Sequence, residues 1–523
     1  MPVTASGDLS HDAAPITQRE VERKVLLPAD ATLPVLAGVL PGVVGVVERP
    51  AVTLVAEYHD TVDLRLARWG VTLRRRAGGA DEGWHLKLPV ASDVRDELRL
   101  PLDAGEVGHV PGPLADTVLA LVRGEPIVPV ATVTTLRSAQ RLVDATGVEL
   151  AELVDDRVRL VRGGEPVGEL REVEVEARDV PERGVPDRGV GSLLDAAVAV
   201  LELAGGTPSS TPKAVHALGR LASQPPDVVV PPWPTRDEPA GATLTCVLAS
   251  GVRTLLLADV GVRRDLPDSV HQMRVAARSL RSALRTFASL VDAPWSSDLR
   301  DELRWVADSL ATIRDAEVQR ARLTSDAGLL GPRDGALAAA AVLRLLDARV
   351  EEGRAAAMLA LCSERYVQLL DALVDAARDP RLAAASGRPA GRTLKPLVRT
   401  AARRLRASVE GLQVDDPPQD WHRVRILAKR ARYAAQTTAP VLGERVEHRA
   451  GALAQVTDVL GEAHDAATCQ VVLRELVTGV DGPTAFALGR LHEVEVEAER
   501  RERARFAEIW PDVERALRTR RRH

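Results

Sequence analysis

In the stretch Arg19-Glu20-Val21-Glu22-Arg23-Lys24, the alternate residues Glu20, Glu22 and Lys24 share one face of an extended strand. A strand normally makes such a face apolar. The inversion recurs at Arg74 and Arg76, at Arg95, Glu97 and Arg99, and at Glu172, Glu174 and Glu176. Several strands with one charged face can share a sheet only if those faces enclose water, ions and a polyanion.

At 523 residues the chain exceeds one ordinary core. Valine-rich alternating runs extend to about residue 220; after about 240, alanine, leucine and arginine recur at helical spacing. An α+β multidomain protein follows, β-rich first and all-helical second. The net charge of −5 divides into roughly −10 before residue 238 and roughly +5 from there on, so the two parts face different ligands. Cys246, Cys362 and Cys469 lie far apart with no metal-ligand spacing, and an odd number suits a reducing compartment. Residues 1–16 read as a disordered start, with neither a basic nor an apolar leader, and no apolar run reaches about 18 residues. The expectation is a cytoplasmic protein with no membrane partner. Gly205-Gly206-Thr207-Pro208 interrupts regular structure, and Pro225-Pro226, Pro231-Pro232 and Pro234 mark residues 216–238 as an extended, semi-stiff linker.

The alternation predicts strands at 19–27, 52–60, 70–77, 83–89, 95–101, 130–138, 148–154, 157–162 and 170–178, with helices near 29–40, 112–123 and 190–204. Mainly antiparallel strands in such a series can close into a barrel, which removes the sheet edges and turns the charged faces into a lumen. A polyphosphate in that lumen needs fixed cations, which Lys24, Arg74, Arg76, Lys87, Arg99 and Arg137 could supply. Hydrolysis needs a divalent metal with hard oxygen ligands, for which Glu20, Glu22, Glu172 and Glu174 are the candidates, with Asp156 or Glu176 as additions. Arg23 and Arg75 have the opposite parity and read as surface residues; Asp60-Thr61 reads either as a ligand pair or as a turn or strand-end hydrogen-bonding pair.

With Glu20-x-Glu22-x-Lys24, Tyr58-x-Asp60-Thr61, Leu73-Arg74-Arg75-Arg76, Trp84-His85-Leu86-Lys87-Leu88-Pro89, Ala151-Glu152-Leu153-Val154-Asp155-Asp156, Glu172-Val173-Glu174-Val175-Glu176 and Lys213, the segment 17–215 resembles the CYTH domain of the triphosphate tunnel metalloenzymes. The resemblance implies an eight-stranded closed tunnel in which acidic residues bind Mg²⁺ or Mn²⁺ and basic residues hold a triphosphate. Lys24, Arg74, Arg76, Lys87 and Arg137 are then the catalytic cations. Glu20, Glu22, Glu172, Glu174 and Asp156 are the metal ligands, and Arg95, Glu97, Arg99 and Lys213 are secondary contacts. Some members carry two alternating lysines where this chain has His85 and Lys87.

The second part contains an internal duplication. His271-Gln272-Met273-Arg274-Val275-Ala276-Ala277-Arg278-Ser279-Leu280-Arg281 corresponds to His422-Arg423-Val424-Arg425-Ile426-Leu427-Ala428-Lys429-Arg430-Ala431-Arg432, and the Asp315-Ala316 segment to Asp465-Ala466. The repeats span about 240–375 and 385–520. At helical spacing, His271, Arg274, Arg278, Arg281 and Arg285 form one stripe, and His422, Arg425, Lys429 and Arg432 another. No acid interrupts either. Lys395, Arg399, Arg403 and Arg406 form a third row, while Glu493, Glu495, Glu497 and Glu499 do not share a helical face and are expected to be exposed.

These repeats resemble the CHAD domain, which implies two four-helix bundles at 239–523 around a basic groove that binds inorganic polyphosphate. A groove rich in arginine and poor in aromatics suits a polyanion without bases to stack, so nucleic acid is disfavoured. The histidines read as phosphate contacts in preference to metal ligands, and Asp315 and Asp465 as groups that orient arginines or cap helices. The expected function is polyphosphate binding by the helical part, with metal-dependent hydrolysis of a triphosphate or short oligophosphate in the tunnel. The alternatives are an inert polyphosphate-granule scaffold, or a nucleotide or thiamine triphosphatase or adenylate cyclase on the same tunnel.

Overall fold

The computed structural model describes residues 15–91, 94–105, 108–178 and 188–518. The expected disordered start lies outside these apart from its last two residues, and Ile16 already begins a strand. The chain divides into two compact units between Asp227 and Val228.

The first unit is built on β1 (Ile16–Leu26), β2 (Gly45–Glu48), β3 (Val52–Asp60), β4 (Thr72–Ala77), β5 (Gly83–Ala91), β6 (Val94–Leu100), β7 (Val128–Val143), β8 (Glu149–Arg162), β9 (Glu165–Ala177) and β10 (Thr207–Ser209). Its helices are α1 (Arg65–Arg68), α2 (Gly112–Thr117), α3 (Leu119–Val122), α4 (Arg188–Leu203) and α5 (Lys213–Leu218). The sheet order β10-β1-β6-β5-β4-β3-β7-β8-β9 closes on itself because β1 also pairs with β9. β1 achieves this by changing partner midway: residues 16–21 pair with β6 and residues 22–26 with β9. The result is a closed eight-stranded antiparallel barrel, to which β2 and β10 add short edges.

Parity decides which residues meet where. The outward valines Val21, Val25, Val173 and Val175 are buried under Leu194, Ala197 and Leu201 of α4. Inward, Ala56, Tyr58, Val133, Val158 and Leu160 pack on Ala214, Ala217 and Leu218 of α5, so part of the inward face is an apolar plug.

Four local expectations change. Residues 29–40 form turns in place of a helix: Pro34 cannot donate inside one, Gly38 takes φ +74, and Leu36 and Leu40, four apart, are buried from a loop. The two strands expected around Asp155-Asp156 are one, β8, because Asp155 points to Arg171 on one face and Asp156 to Arg137 on the other. Thr207 and Pro208, read as a break, form β10 on β1. The Pro-rich segment is held to its neighbours: Trp69 Nε1 donates to Asp227 at 3.1 Å within the first unit, and in the second Cys246 Sγ lies 3.3 Å from the Pro232 carbonyl.

The second unit comprises α6 (Ala240–Arg263), α7 (Ser269–Thr286), α8 (Ala293–Ser309), α9 (Ala311–Ala327), α10 (Pro332–Leu361), α11 (Glu364–Arg378), α12 (Ala390–Val409), α13 (Pro418–Leu442), α14 (Glu444–Val477) and α15 (Gly482–Leu517). The duplication pairs α6 with α12, α7 with α13, the α8–α9 run with α14, and α10 with α15. Within each bundle consecutive helices of the set pack on one another, and α11 packs back on α6 and α8. The bundles share a core in which Leu323 and Val342 meet Leu473, Leu488 and Leu491. Close approach of α6 and α7 needs Gly251, where an added Cβ would lie 2.6 Å from Leu280. Among the described helices only α6 is long and apolar enough to cross a membrane; here it packs on α7 and α11, and its buried Asp259 accepts from Arg263 and Tyr366 at 2.7 and 2.8 Å. Glu495, expected to be exposed, is fully buried and accepts from Arg322 at 2.8 Å, because α15 turns this position into the shared core.

Candidate functional site

The inward charges of the barrel gather in two clusters. In the first, Glu97 of β6 is fully buried and faces Lys87 at 3.6 Å, Arg74 at 3.8 Å, Arg99, and His85 Nδ1 at 2.9 Å. Burial pushes its carboxyl up, but Lys87, His85 and Arg74 hold it well below the usual range. Lys87 also pairs with Glu20, which Arg99 approaches at 3.4 Å. In the second, Glu174 of β9 meets Lys24 at 2.7 Å, Lys213 at 2.8 Å and Arg137 at 3.4 Å. Asp156 of β8 receives two bonds from Arg137, at 2.9 and 2.7 Å, and lies 3.0 Å from Lys213. Glu22 joins the second cluster through Lys24 at 3.1 Å.

Glu20, Glu22, Lys24, Arg74, Arg76, Lys87, Arg95, Arg99, Arg137, Asp156, Glu174 and Lys213 therefore line one cavity of about 80 Å³. Glu97 and Glu172 do not line it. Glu172 is fully buried behind Lys213; burial pushes its carboxyl up to about 7. Arg95 lines the cavity but donates to the Gly70 carbonyl at 3.2 Å. Glu176 lines it opposite Glu22 in the ladder, and its carboxyl is pushed up to about 7 by burial and by the charge of Glu20. Asp81, from the β4–β5 turn, lines the cavity and pairs with Arg76, a contact no strand parity announces. Asp60 ends β3 as a strand-end hydrogen-bonding residue: its carboxylate accepts from the backbone of Thr61, Leu66 and Ala67 at 2.7, 2.9 and 2.9 Å. Arg75 is exposed, whereas Arg23 is half-buried and donates to Asp195 of α4.

In the helical unit part of each stripe lines one cavity of about 320 Å³: Arg274, Arg278 and Arg281 from α7, and His422 and Arg425 from α13, whereas His271, Arg285, Lys429 and Arg432 do not line it. Asp315 of α9 orients Arg274 by accepting from it at 2.9 Å. Crowding of like charge is visible in proton affinity. Lys429 is pushed down to about 7 by burial and by Arg425, and burial together with Arg278 lowers Arg281. Arg285 is lowered by burial and by Arg430 of α13, while His271 is lowered by burial and by Arg314. Arg432 bonds Thr457 at 2.7 Å. Lys395, Arg399 and Arg403 are exposed on α12 and do not line this cavity; Arg406 is taken by Glu514. The sequence reading missed His464, whose ring lies 5.6 Å from that of His422 and which burial and Arg425 push down to about 4. The repeat alignment placed it opposite Arg314, which was the available signal.

The CYTH domain model matches residues 18–188 and the CHAD domain model residues 246–474. The uncharacterized protein Rv2226 of Mycobacterium tuberculosis is 34% identical over 96% of this chain and 98% of its own. This chain is a CYTH–CHAD protein. Among solved structures, PptA from Streptomyces chartreusis is 26% identical, with TM-score 0.46 over 52% of this chain and 99% of its own. The CHAD domain from the plant Ricinus communis is 23% identical, with TM-score 0.44 over 55% and 95%.

The CYTH tunnel has the donor chemistry for a hard divalent cation in Glu20, Glu22, Glu174 and Glu176. Burial, and then the charges of Glu20 and Glu22, raise the proton affinity of Glu176. Among the described residues, however, no three acidic, histidine or cysteine side chains already converge on one ion position. A cation must first draw these carboxylates from their lysines and arginines.

Proposed function

We propose that this CYTH–CHAD protein handles inorganic polyphosphate in the cytoplasm: the CHAD groove binds long chains, and the CYTH tunnel binds and hydrolyses a triphosphate end or a short oligophosphate. The observation that carries the reading is the convergence of Lys24, Arg74, Arg76, Lys87, Arg99, Arg137 and Lys213 on one cavity with Glu20, Glu22 and Glu174. With Arg95 added on one side and Asp81, Asp156 and Glu176 on the other, the lining carries eight cations against six carboxylates, and guanidinium forks match phosphate oxygens in pairs. Glu20, Glu22 and Glu174, with Glu176, would hold Mg²⁺ or Mn²⁺, which supplies charge neutralisation at the phosphate oxygens and orients the attacking water. Lys24 and Lys87, released from Glu174 and Glu20, bind the oxygens that gain charge in the transition state, and Arg137, anchored by Asp156, keeps its remaining N–H groups aimed into the lumen.

A second reading, binding without turnover, is favoured by the ion pairs that occupy the cavity. Phosphate release from tripolyphosphate, long-chain polyphosphate and ATP, measured with Mg²⁺ or Mn²⁺, separates the two. Metal-dependent release that Glu20→Ala, Glu22→Ala abolishes is the expected result and ranks the substrates. Polyphosphate binding without release by the wild type would leave a scaffold with an inert tunnel.

A further inference from the structure

α13 carries cations on two opposite faces. One face, with Arg425, looks toward α7 and α14; the other, with Arg423 and Arg430, looks toward α12. Between α12 and α13 lies a groove of about 580 Å³ lined by Arg404, Ser408, Gln419, His422, Arg423 and Arg430, with Ala407, Ile426 and Leu427 along its floor. It contains no carboxylate, and none of its arginines has a carboxylate partner among the described residues. The sequence stripes did not find it, because Arg423 and Arg430 fall between the repeated positions.

Two features connect this groove to the cavity on the other side of α13. His422 is exposed at the rim of both. Arg430 is close enough to lower the proton affinity of Arg285, which continues the α7 stripe. From His422 to Arg430 the α13 ridge runs about 12 Å, at 1.5 Å per residue. Like-charged groups crowded along such a path repel one another, and a polyanion laid along them relieves that repulsion and releases its own counterions.

We propose that the α12–α13 groove is a second anion track, which takes the continuation of a polyphosphate chain whose first part lies among α7, α13 and α14. The inference rests on the polyphosphate reading of the CHAD domain and adds chain-length selectivity to it: a short chain occupies one track, and a long chain passes His422 and occupies both. Nucleic acid is a poorer fit, because no Phe, Tyr or Trp lines the groove to stack a base and His422 is its one ring.

The test compares the full chain with the triple variant Arg404→Gln, Arg423→Gln, Arg430→Gln. A control with the same change of net charge, Arg333→Gln, Arg344→Gln, Arg500→Gln, alters exposed positions on α10 and α15. Affinities for tripolyphosphate and long-chain polyphosphate are measured across a salt series. The groove variant should weaken long-chain binding at least tenfold relative to the control and lower the salt slope by about 2, at roughly 0.7 per lost contact. Tripolyphosphate affinity should stay within twofold. Equal long-chain affinity and slope in the groove variant and the control overturn the second track while leaving the first intact. A wild-type chain that binds no polyphosphate removes the reading on which both rest. All the substituted positions are exposed, and unchanged far-ultraviolet circular dichroism verifies that the variants fold.

Discussion

Asp156 is fully buried, yet Arg137 and Lys213 both depend on it for their direction. Removing one partner of a buried pair leaves an uncompensated charge, which costs about 3–5 kcal/mol. Asp156→Ala is therefore expected to lower unfolding stability by that amount in a denaturant titration, and Arg137→Met, Asp156→Leu to recover much of it. Glu495 predicts a pH effect of definite sign. Burial pushes its carboxyl up to about 7, so the folded helical unit binds a proton that the unfolded chain has released. Its contribution is complete below the ordinary glutamate range and is lost as pH rises through that range to about 7. Glu495→Gln should thus narrow its stability gap to wild type toward low pH in thermal melts. A gap that does not change with pH refutes the assignment.

For single elements, alternation made much of the barrel legible. The inward charges of β1, β5, β6 and β9 follow from parity alone, and so do the valines between them. Leu201 of α4, fully buried over those valines, carries the first prediction at this scale. Leu201→Ala should cost about 3 kcal/mol, while Val167→Ala, exposed on β9, should stay within about 0.5 kcal/mol, both read from denaturation midpoints. Elsewhere local pattern misleads. Leu36 and Leu40 have helical spacing but belong to a loop, because prolines and positive-φ glycines govern the backbone there. Glu495 carries a surface residue type in a core position, since burial on a helix is decided by its neighbours and not by its own charge. The α12–α13 groove was invisible for a related reason: its arginines form no periodic stripe on one helix and become a site only when two helices pack.

As a whole, the molecule carries two basic cavities in one chain, and under the proposed function this raises the concentration of chain ends at the tunnel. A protease site inserted between Asp227 and Val228 tests this. After cleavage, tripolyphosphate hydrolysis should be unchanged, while hydrolysis of long-chain polyphosphate at low concentration should fall about tenfold or more. Equal loss with both substrates would mean that the cut damages the tunnel itself. Alternation at period two and at helical period are local properties, and they were enough to determine a charged barrel interior, a duplicated basic bundle and most of the charged residues that line each cavity. Which charges touch was decided only by the tertiary structure. Lys87 reaches Glu20, Glu97 gathers three strands of cations, and Asp81 reaches Arg76, because barrel closure and helix packing set distances between residues far apart in the chain.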